Sequence, residues 1–228
     1  MGPCRRRACR LAILGRCRAR SSPAHRFGRR FGKDGIEPAR IPSRPDTGGN
    51  TVRYIVGVMG PAKARRKDLE NARALGELIA RREWVLLTGG RDVGVMHAAS
   101  QGAKKVARSL TVGVLPTTRD RISKYIDLAI ITEMGNARNN VCVLSSQVIV
   151  ACGLGGSGTV SEVALALKAG KEVVLLGATP VEEKFFKNLG GRLISAVQTP
   201  EDAVNVILKR FERGHGSDLQ GPQAWGGC

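Results

Sequence analysis

Aromatic residues are scarce in this chain of 228 residues: two Trp, two Tyr and five Phe, 4% of the whole. That is too few for the row of stacking faces on which proteins hold single-stranded nucleic acid. A core must instead rest on Val, Leu, Ile and Ala, and at 42% hydrophobic the chain has enough of them to exclude wholesale disorder. Histidine is scarcer still. His25, His97 and His215 stand far apart, and none pairs with cysteine at the spacing of a zinc ribbon or finger, so no protein metal site is read. Of the six cysteines, Cys4, Cys9 and Cys17 precede the core, Cys228 is terminal, and Cys142 and Cys152 lie in apolar stretches where a thiol acts as a small hydrophobe. The pattern implies a reducing, cytoplasmic setting. No apolar run approaches the ~20 residues of a membrane span, so no membrane partner is expected.

Acidic residues are also in deficit: 19 against 37 Lys and Arg, a formal charge of +18. The excess is uneven. Residues 1–50 hold 13 basic and 3 acidic residues, a net +10, and residues 51–228 hold 24 and 16, a net +8. The body is thus only moderately basic, which suits a small anion as well as a polyanion. Residues 1–50 lack periodicity and read as a disordered basic extension. The stretch Leu11-Ala12-Ile13-Leu14 is too short for the apolar region of a secretory signal. An organelle transit peptide, a start codon placed upstream of the true one, and a nucleic-acid-binding arm are the remaining readings. Residues 51–213 read as one domain and 214–228 as a disordered tail.

The body alternates strands and helices. Strands are predicted at 54–59, 84–87, 110–115, 128–132, 148–151, 173–176 and 193–194. Helices are predicted at 66–82, 93–108, 137–146, 160–170 and 200–211, the first with Leu69, Ala72, Leu75 and Ile79 on one face. Near-continuous β-branched runs between helices imply an α/β, Rossmann-like domain: an open, mostly parallel sheet with helices on both faces.

Ligands of such sheets bind beyond the carboxyl ends of the strands. Three glycine-bearing loops fall there: Gly57 to Gly60, Thr88-Gly89-Gly90, and Gly153 to Thr159. The first is not a GxGxxG fingerprint, and Thr88 stands where a ribose-binding acid would follow the second strand, so a dinucleotide is not supported. The third loop, Gly155-Gly156-Ser157-Gly158-Thr159-Val160-Ser161-Glu162, follows a buried strand and opens an apolar helix. Close backbone approach and the free N–H groups of a first helical turn make it a phosphate site. No Lys follows, which excludes a Walker A loop. Thr159 and Glu162 also have the spacing of a capping box, which accounts for both without a ligand.

Arg138, in Asn136-Ala137-Arg138-Asn139-Asn140, has the chemistry to clamp a phosphate, or it is a surface arginine near a helix start. Asn139 and Asn140 are polar ligand contacts or ordinary first-turn residues. His97 reads as a packed or solvated side chain rather than a base. The run Lys63, Arg65, Arg66 and Lys67 reads as a solvated loop, with attraction of an anion as the alternative.

The GGxGTxxE stretch at Gly155–Glu162 resembles the signature of the Lonely-guy, or "lysine decarboxylase-like", proteins of the SLOG nucleotide-binding superfamily. Gly57-Val58-Met59-Gly60, Thr88-Gly89-Gly90, Gly113-Val114-Leu115-Pro116, Ala137-Arg138-Asn139-Asn140 and Glu162–Lys168 extend the likeness over residues 53–177. The combination is most similar to the molybdenum cofactor carrier branch. The resemblance implies a homo-oligomer, dimer or tetramer, whose loops hold a phosphorylated small molecule. The implied contacts are Gly57, Gly60, Thr88, Gly89, Gly90, Arg138, Asn139, Asn140 and Gly155 through Thr159, with Glu162. In the carrier branch the ligand is the molybdenum cofactor, handed to a molybdenum enzyme. In the hydrolase branch, Glu162 and Arg138 would cleave the N-glycosidic bond of a nucleoside 5′-monophosphate. DNA-processing proteins share the superfamily and supply a third reading, with nucleic acid the less expected ligand.

Overall fold

The computed structural model describes residues 53–214; the sequence readings on residues 1–50 and 215–228 lie outside the described residues. Seven strands form one sheet: β1 (Ile55–Met59), β2 (Val85–Thr88), β3 (Leu110–Leu115), β4 (Leu128–Ile131), β5 (Val148–Cys152), β6 (Val173–Leu176) and β7 (Ile194–Val197). Every pairing is parallel, in the order β4-β3-β2-β1-β5-β6-β7, so the sheet is open and wholly parallel. Six helices accompany it: α1 (Arg66–Arg81), α2 (Gly94–Ala103), α3 (Arg138–Leu144), α4 (Ser157–Lys168), α5 (Pro180–Gly190) and α6 (Pro200–Gly214).

The helices cover both faces, as the near-continuous apolar strands require. Val56, Val58, Val148, Val150 and Val174 pack beneath α1, α2 and α6, with Leu75, Ile79, Val95 and Ile207 pointing down from those helices. Ile149, Ala151, Val173 and Leu175 point the other way, against α3, α4 and α5, where Cys142, Val143, Val163 and Phe186 close the second layer. One strand escapes this rule. All four residues of β4 are exposed, so neither face of this edge is covered by the described residues.

The chain lays down β1 to β4 outward in one direction, returns to place β5 on the other side of β1, and continues to β7. The topology therefore reverses between β1 and β5, where a crevice must open beyond the strand ends. Gly60 ends one wall of that crevice and Gly153 to Gly156 the other.

Three differences from the sequence reading have clear causes. Helix α4 starts at Ser157, three residues early, because Gly156 takes the cap position with an extended backbone (φ −164°, ψ 149°). Thr159 thus occupies the third helical position and Glu162 the sixth, and the capping box they mimic does not form. Helix α2 ends at Ala103 instead of Arg108, because the chain beyond it tightens into turns in which Lys105 N–H donates to the Gly102 carbonyl and Val106 N–H to the Ala103 carbonyl, both at 3.1 Å. Helix α5 has no counterpart in the sequence reading; it starts at Thr179, whose side chain and that of Glu182 cap each other's backbone N–H groups, with Pro180 in the first turn.

Candidate ligand-binding site

A cleft of about 290 Å³ lies at the topological switch, walled by the loops after β1, β2 and β5 and floored by side chains from α2, α3 and α4. The loop after β5 is shaped by Gly153, whose φ of +74° and whose contact with the Asp68 carboxyl (2.8 Å from a Cβ placed there) admit no larger residue. The next glycines are different. A Cβ at Gly155 or Gly156 would meet only Pro61, at 3.8 and 3.9 Å, and one at Gly158 would meet nothing within 4 Å. Neither packing nor backbone sign asks for glycine at those three positions. Free space above them at the start of a 12-residue helix leaves its first N–H groups open to an anion.

Behind this rim sits Arg138. Its side chain is buried, 8% exposed, and enters the cleft rather than solvent. One nitrogen, Nη1, donates to Glu162 Oε1 at 3.4 Å and to Cys142 Sγ at 3.3 Å, while among the described residues the buried Nε–H has no partner. Nη2 lies against Gly89, where an added Cβ would come within 2.7 Å of it. This is a single long contact in place of the paired, short bonds that a guanidinium makes with a carboxylate. Most of its donor capacity is unspent.

Glu162 is equally enclosed. Burial pushes its carboxyl up to about 7, and the neighbouring Arg138 charge opposes that rise without cancelling it. Burial likewise raises the Cys142 thiol, again against the pull of Arg138. The cleft floor therefore holds a fixed cation beside a carboxyl that exchanges its proton near neutrality. Such a pair can grip an anion, and it can also donate or accept a proton.

Of the residues singled out from sequence, the structure brings Gly60, Gly89, Arg138, Asn139, Glu162 and the Gly155–Thr159 stretch to this cleft. Asn139 Nδ2 donates to Ser161 Oγ at 3.3 Å, which ties α3 to α4. Gly57, Thr88, Gly90 and Asn140 do not line it. Gly57 is inside β1, where a Cβ would strike Ser146 Oγ at 2.5 Å. Thr88 is fully buried and accepts the Gly90 N–H at 3.1 Å, shaping the turn behind Gly89. Asn140 is exposed. Of the basic run, Lys63 reaches the cleft, Arg65 pairs with Asp68 and Arg66 with Glu70. Met59, Met96, Arg91 and Asn136 line the cleft without having been picked out. Arg91 was legible as the residue after Gly89-Gly90; the two Met sit where apolar packing is expected and carry no such signal. Among the described residues, no group of three or more His, Cys, Asp or Glu is placed to hold a metal ion, and no helix is long and apolar enough to cross a membrane.

Residues 53–204 match the SLOG cluster4 family. The chain belongs to this family. Among solved structures it is similar to the molybdenum cofactor binding protein of the phototrophic bacterium Rippkaea orientalis, at 50% identity over 70% of this chain and 98% of that one, with a TM-score of 0.67. It is similar also to the Moco carrier protein of Chlamydomonas reinhardtii, 46% identical over 71% of this chain and 99% of that one, TM-score 0.67. An uncharacterized protein of Archaeoglobus fulgidus is 41% identical over 153 residues, 67% of this chain and 93% of its own length. DNA processing protein A from Helicobacter pylori, at 20% identity over 69% of this chain and 81% of that one with a TM-score of 0.54, shares the fold alone. The SLOG cluster4 core thus spans the sheet and both walls of the cleft.

Proposed function

We propose that this SLOG cluster4 protein binds and carries the molybdenum cofactor, holding its phosphate at the start of α4. The observation that carries this reading is the Arg138 guanidinium, buried with an Nε–H unpartnered among the described residues, beneath three glycines at which an added Cβ would meet at most Pro61. A phosphate over that rim would take N–H groups from the first turn of α4, and Arg138, Lys63 and Arg91 would offset its charge. The likeness to the cofactor-binding protein of Rippkaea and the Chlamydomonas carrier supports the identity of the remainder of the ligand. The cargo is bound and released without turnover, and a molybdenum enzyme is its acceptor. Buried free thiols at Cys142 and Cys152 suit a reducing, cytoplasmic compartment.

Self-association goes with this reading. The bare β4 edge exposes Leu128 and Ile130, and Met134 and Leu144 are exposed as well, apolar surface that a second copy would cover. Light scattering of the wild type and of Leu144→Glu tests it: a dimer or tetramer that the variant dissociates is the expected result.

A second reading has its own observation. Glu162, with its proton exchangeable near neutrality and a cation 3.4 Å away, is equipped for N-glycosidic cleavage of a nucleoside 5′-monophosphate. One experiment separates the two. The protein is mixed with molybdenum cofactor, passed through a desalting column and assayed for molybdenum and for pterin fluorescence. In parallel it is incubated with nucleoside monophosphates and free base is measured. Co-elution of cofactor that Gly156→Asp abolishes, with no base released, is the expected result; base release lost in Glu162→Gln would replace the carrier reading with the hydrolase.

A further inference from the structure

A second cleft, of about 700 Å³, opens between α2 and the segment joining β3 to β4, and the proposed cofactor site makes no use of it. Backbone bonds strap that segment down: Asp92 N–H donates to the Arg121 carbonyl at 2.8 Å, and Ser123 N–H to the Gly90 carbonyl at 2.9 Å. Arg91 and Ile122 form an isolated bridge between the same two stretches. Side chains of that segment and of α2 line the cleft.

Two of them are aimed with care. Asp92 Oδ1 lies 2.6 Å from His97 Nδ1, and Ser123 Oγ lies 3.1 Å from the same nitrogen. A carboxylate so close holds a proton on Nδ1, so that it is Nε2 that can accept in the neutral imidazole. Among the described residues Nε2 has no hydrogen-bond partner, and the imidazole borders the cleft. Beside it, the Tyr125 ring centre is 5.1 Å from that of the imidazole, inclined at 58°. The phenol oxygen accepts from Gln101 Nε2 at 3.2 Å, and the orientation of that amide is fixed because its oxygen accepts from Arg73 Nε at 2.9 Å. The Tyr125 hydroxyl proton is thereby left to donate outward.

The rim is cationic. Arg121 meets Asp92 only at 3.6 Å, with its side chain 89% exposed, and Lys124 rests over the Tyr125 ring at 5.2 Å. The cleft combines an imidazole held at Nδ1 by Asp92, a phenol whose ring centre lies 5.1 Å from it, and positive charge at the edge. Among the described residues it holds a single imidazole and no cluster of three metal ligands.

We infer that this cleft is a separate binding site for a small planar anion whose ring carries an N–H beside a carbonyl. The ring N–H donates to His97 Nε2, the carbonyl accepts from the Tyr125 hydroxyl, and the negative charge meets Arg121 and Lys124. A ring of the same charge without the N–H leaves the Nε2 lone pair unmatched and is rejected by the loss of one hydrogen bond.

Orotate is a suitable probe, since it has the N–H and carbonyl edge and a carboxylate but no phosphate to draw it to the α4 cleft. Calorimetric titration of the full chain is expected to show orotate binding roughly three- to tenfold tighter than 1,3-dimethylorotate, the worth of one such bond. His97→Ala should lower orotate affinity by a similar factor, and Tyr125→Phe, which keeps the ring, by several-fold with the melting temperature unchanged. Gly156→Asp should leave orotate binding as it is, so failure of the cofactor reading would not disturb this one. The inference is overturned by equal affinity for the two rings, by no orotate binding at millimolar concentration, by binding indifferent to both His97→Ala and Tyr125→Phe, or by binding lost in Gly156→Asp.

Discussion

Glu162→Gln offers a sharp test of how the proposed cofactor cleft is built, because it removes a charge while keeping the shape. In the folded protein the Glu162 carboxyl is raised from its ordinary 4.5 to about 7, with burial as the main cause. An acid so raised is bound to its proton more firmly when folded than when unfolded. Its contribution is therefore fully present below pH 4.5 and is lost as pH climbs toward 7. At roughly 1.4 kcal/mol per tenfold, the loss across that window is about 3 kcal/mol. Glutamine cannot ionise, so the variant should lack this slope, and above pH 7 it should be the more stable protein by up to about that amount. Denaturant unfolding of the full chain and the variant at pH 5, 6, 7 and 8 measures it, since every other titrating group is common to both and cancels in the difference. A difference that stays flat from pH 5 to 8 would refute the reasoning. Arg138 would then be holding Glu162 ionised throughout, as a tight structural ion pair.

Three further substitutions probe the cleft and its supports. Gly158→Ala meets no atom within 4 Å, so its melting temperature should hold or rise, while molybdenum cofactor retained after desalting should fall as the methyl group occupies the ligand's side of the helix start. Gly153→Ala should cost about 1–3 kcal/mol in denaturant unfolding, because a φ of +74° and the Asp68 carboxyl both oppose a Cβ there. Thr179→Ala removes the cap of α5 and should cost about 1 kcal/mol by the same assay, with cofactor retention untouched.

The sheet was readable from sequence because parallel strands are buried on both faces and spell themselves as runs such as Val148 to Ala151. The start of α4 was misread because Thr159 and Glu162 imitate a capping box, whereas the actual cap is a glycine that offers no side chain to recognise. That error matters for function: three residues' displacement carries Glu162 from the helix rim into the cleft. Helix α5 was missed although Val181, Phe185 and Leu189 recur four residues apart; in the structure that stripe faces outward and only Phe186 is buried. Its signal lay in the Thr179-Pro180 start. Within the cleft, glycine was a mixed guide. Gly155, Gly156 and Gly158 leave room for a ligand, but Gly57 and Gly90 leave room for neighbouring protein atoms, and only the folded arrangement separates the two uses.

The reversal of strand order has a consequence for how the chain is made. Strand β1 is synthesised first and pairs with β2, but its other neighbour, β5, emerges only after β4. Until then β1 presents an unpaired apolar edge at what will become the middle of the sheet, a template for wrong strand addition. Closing that seam also brings the Gly153–Gly156 loop to Gly60, so the cleft exists only once β5 has joined the sheet. A nascent or half-folded chain lacks the cleft, and any ligand that binds there would pull the seam shut by mass action.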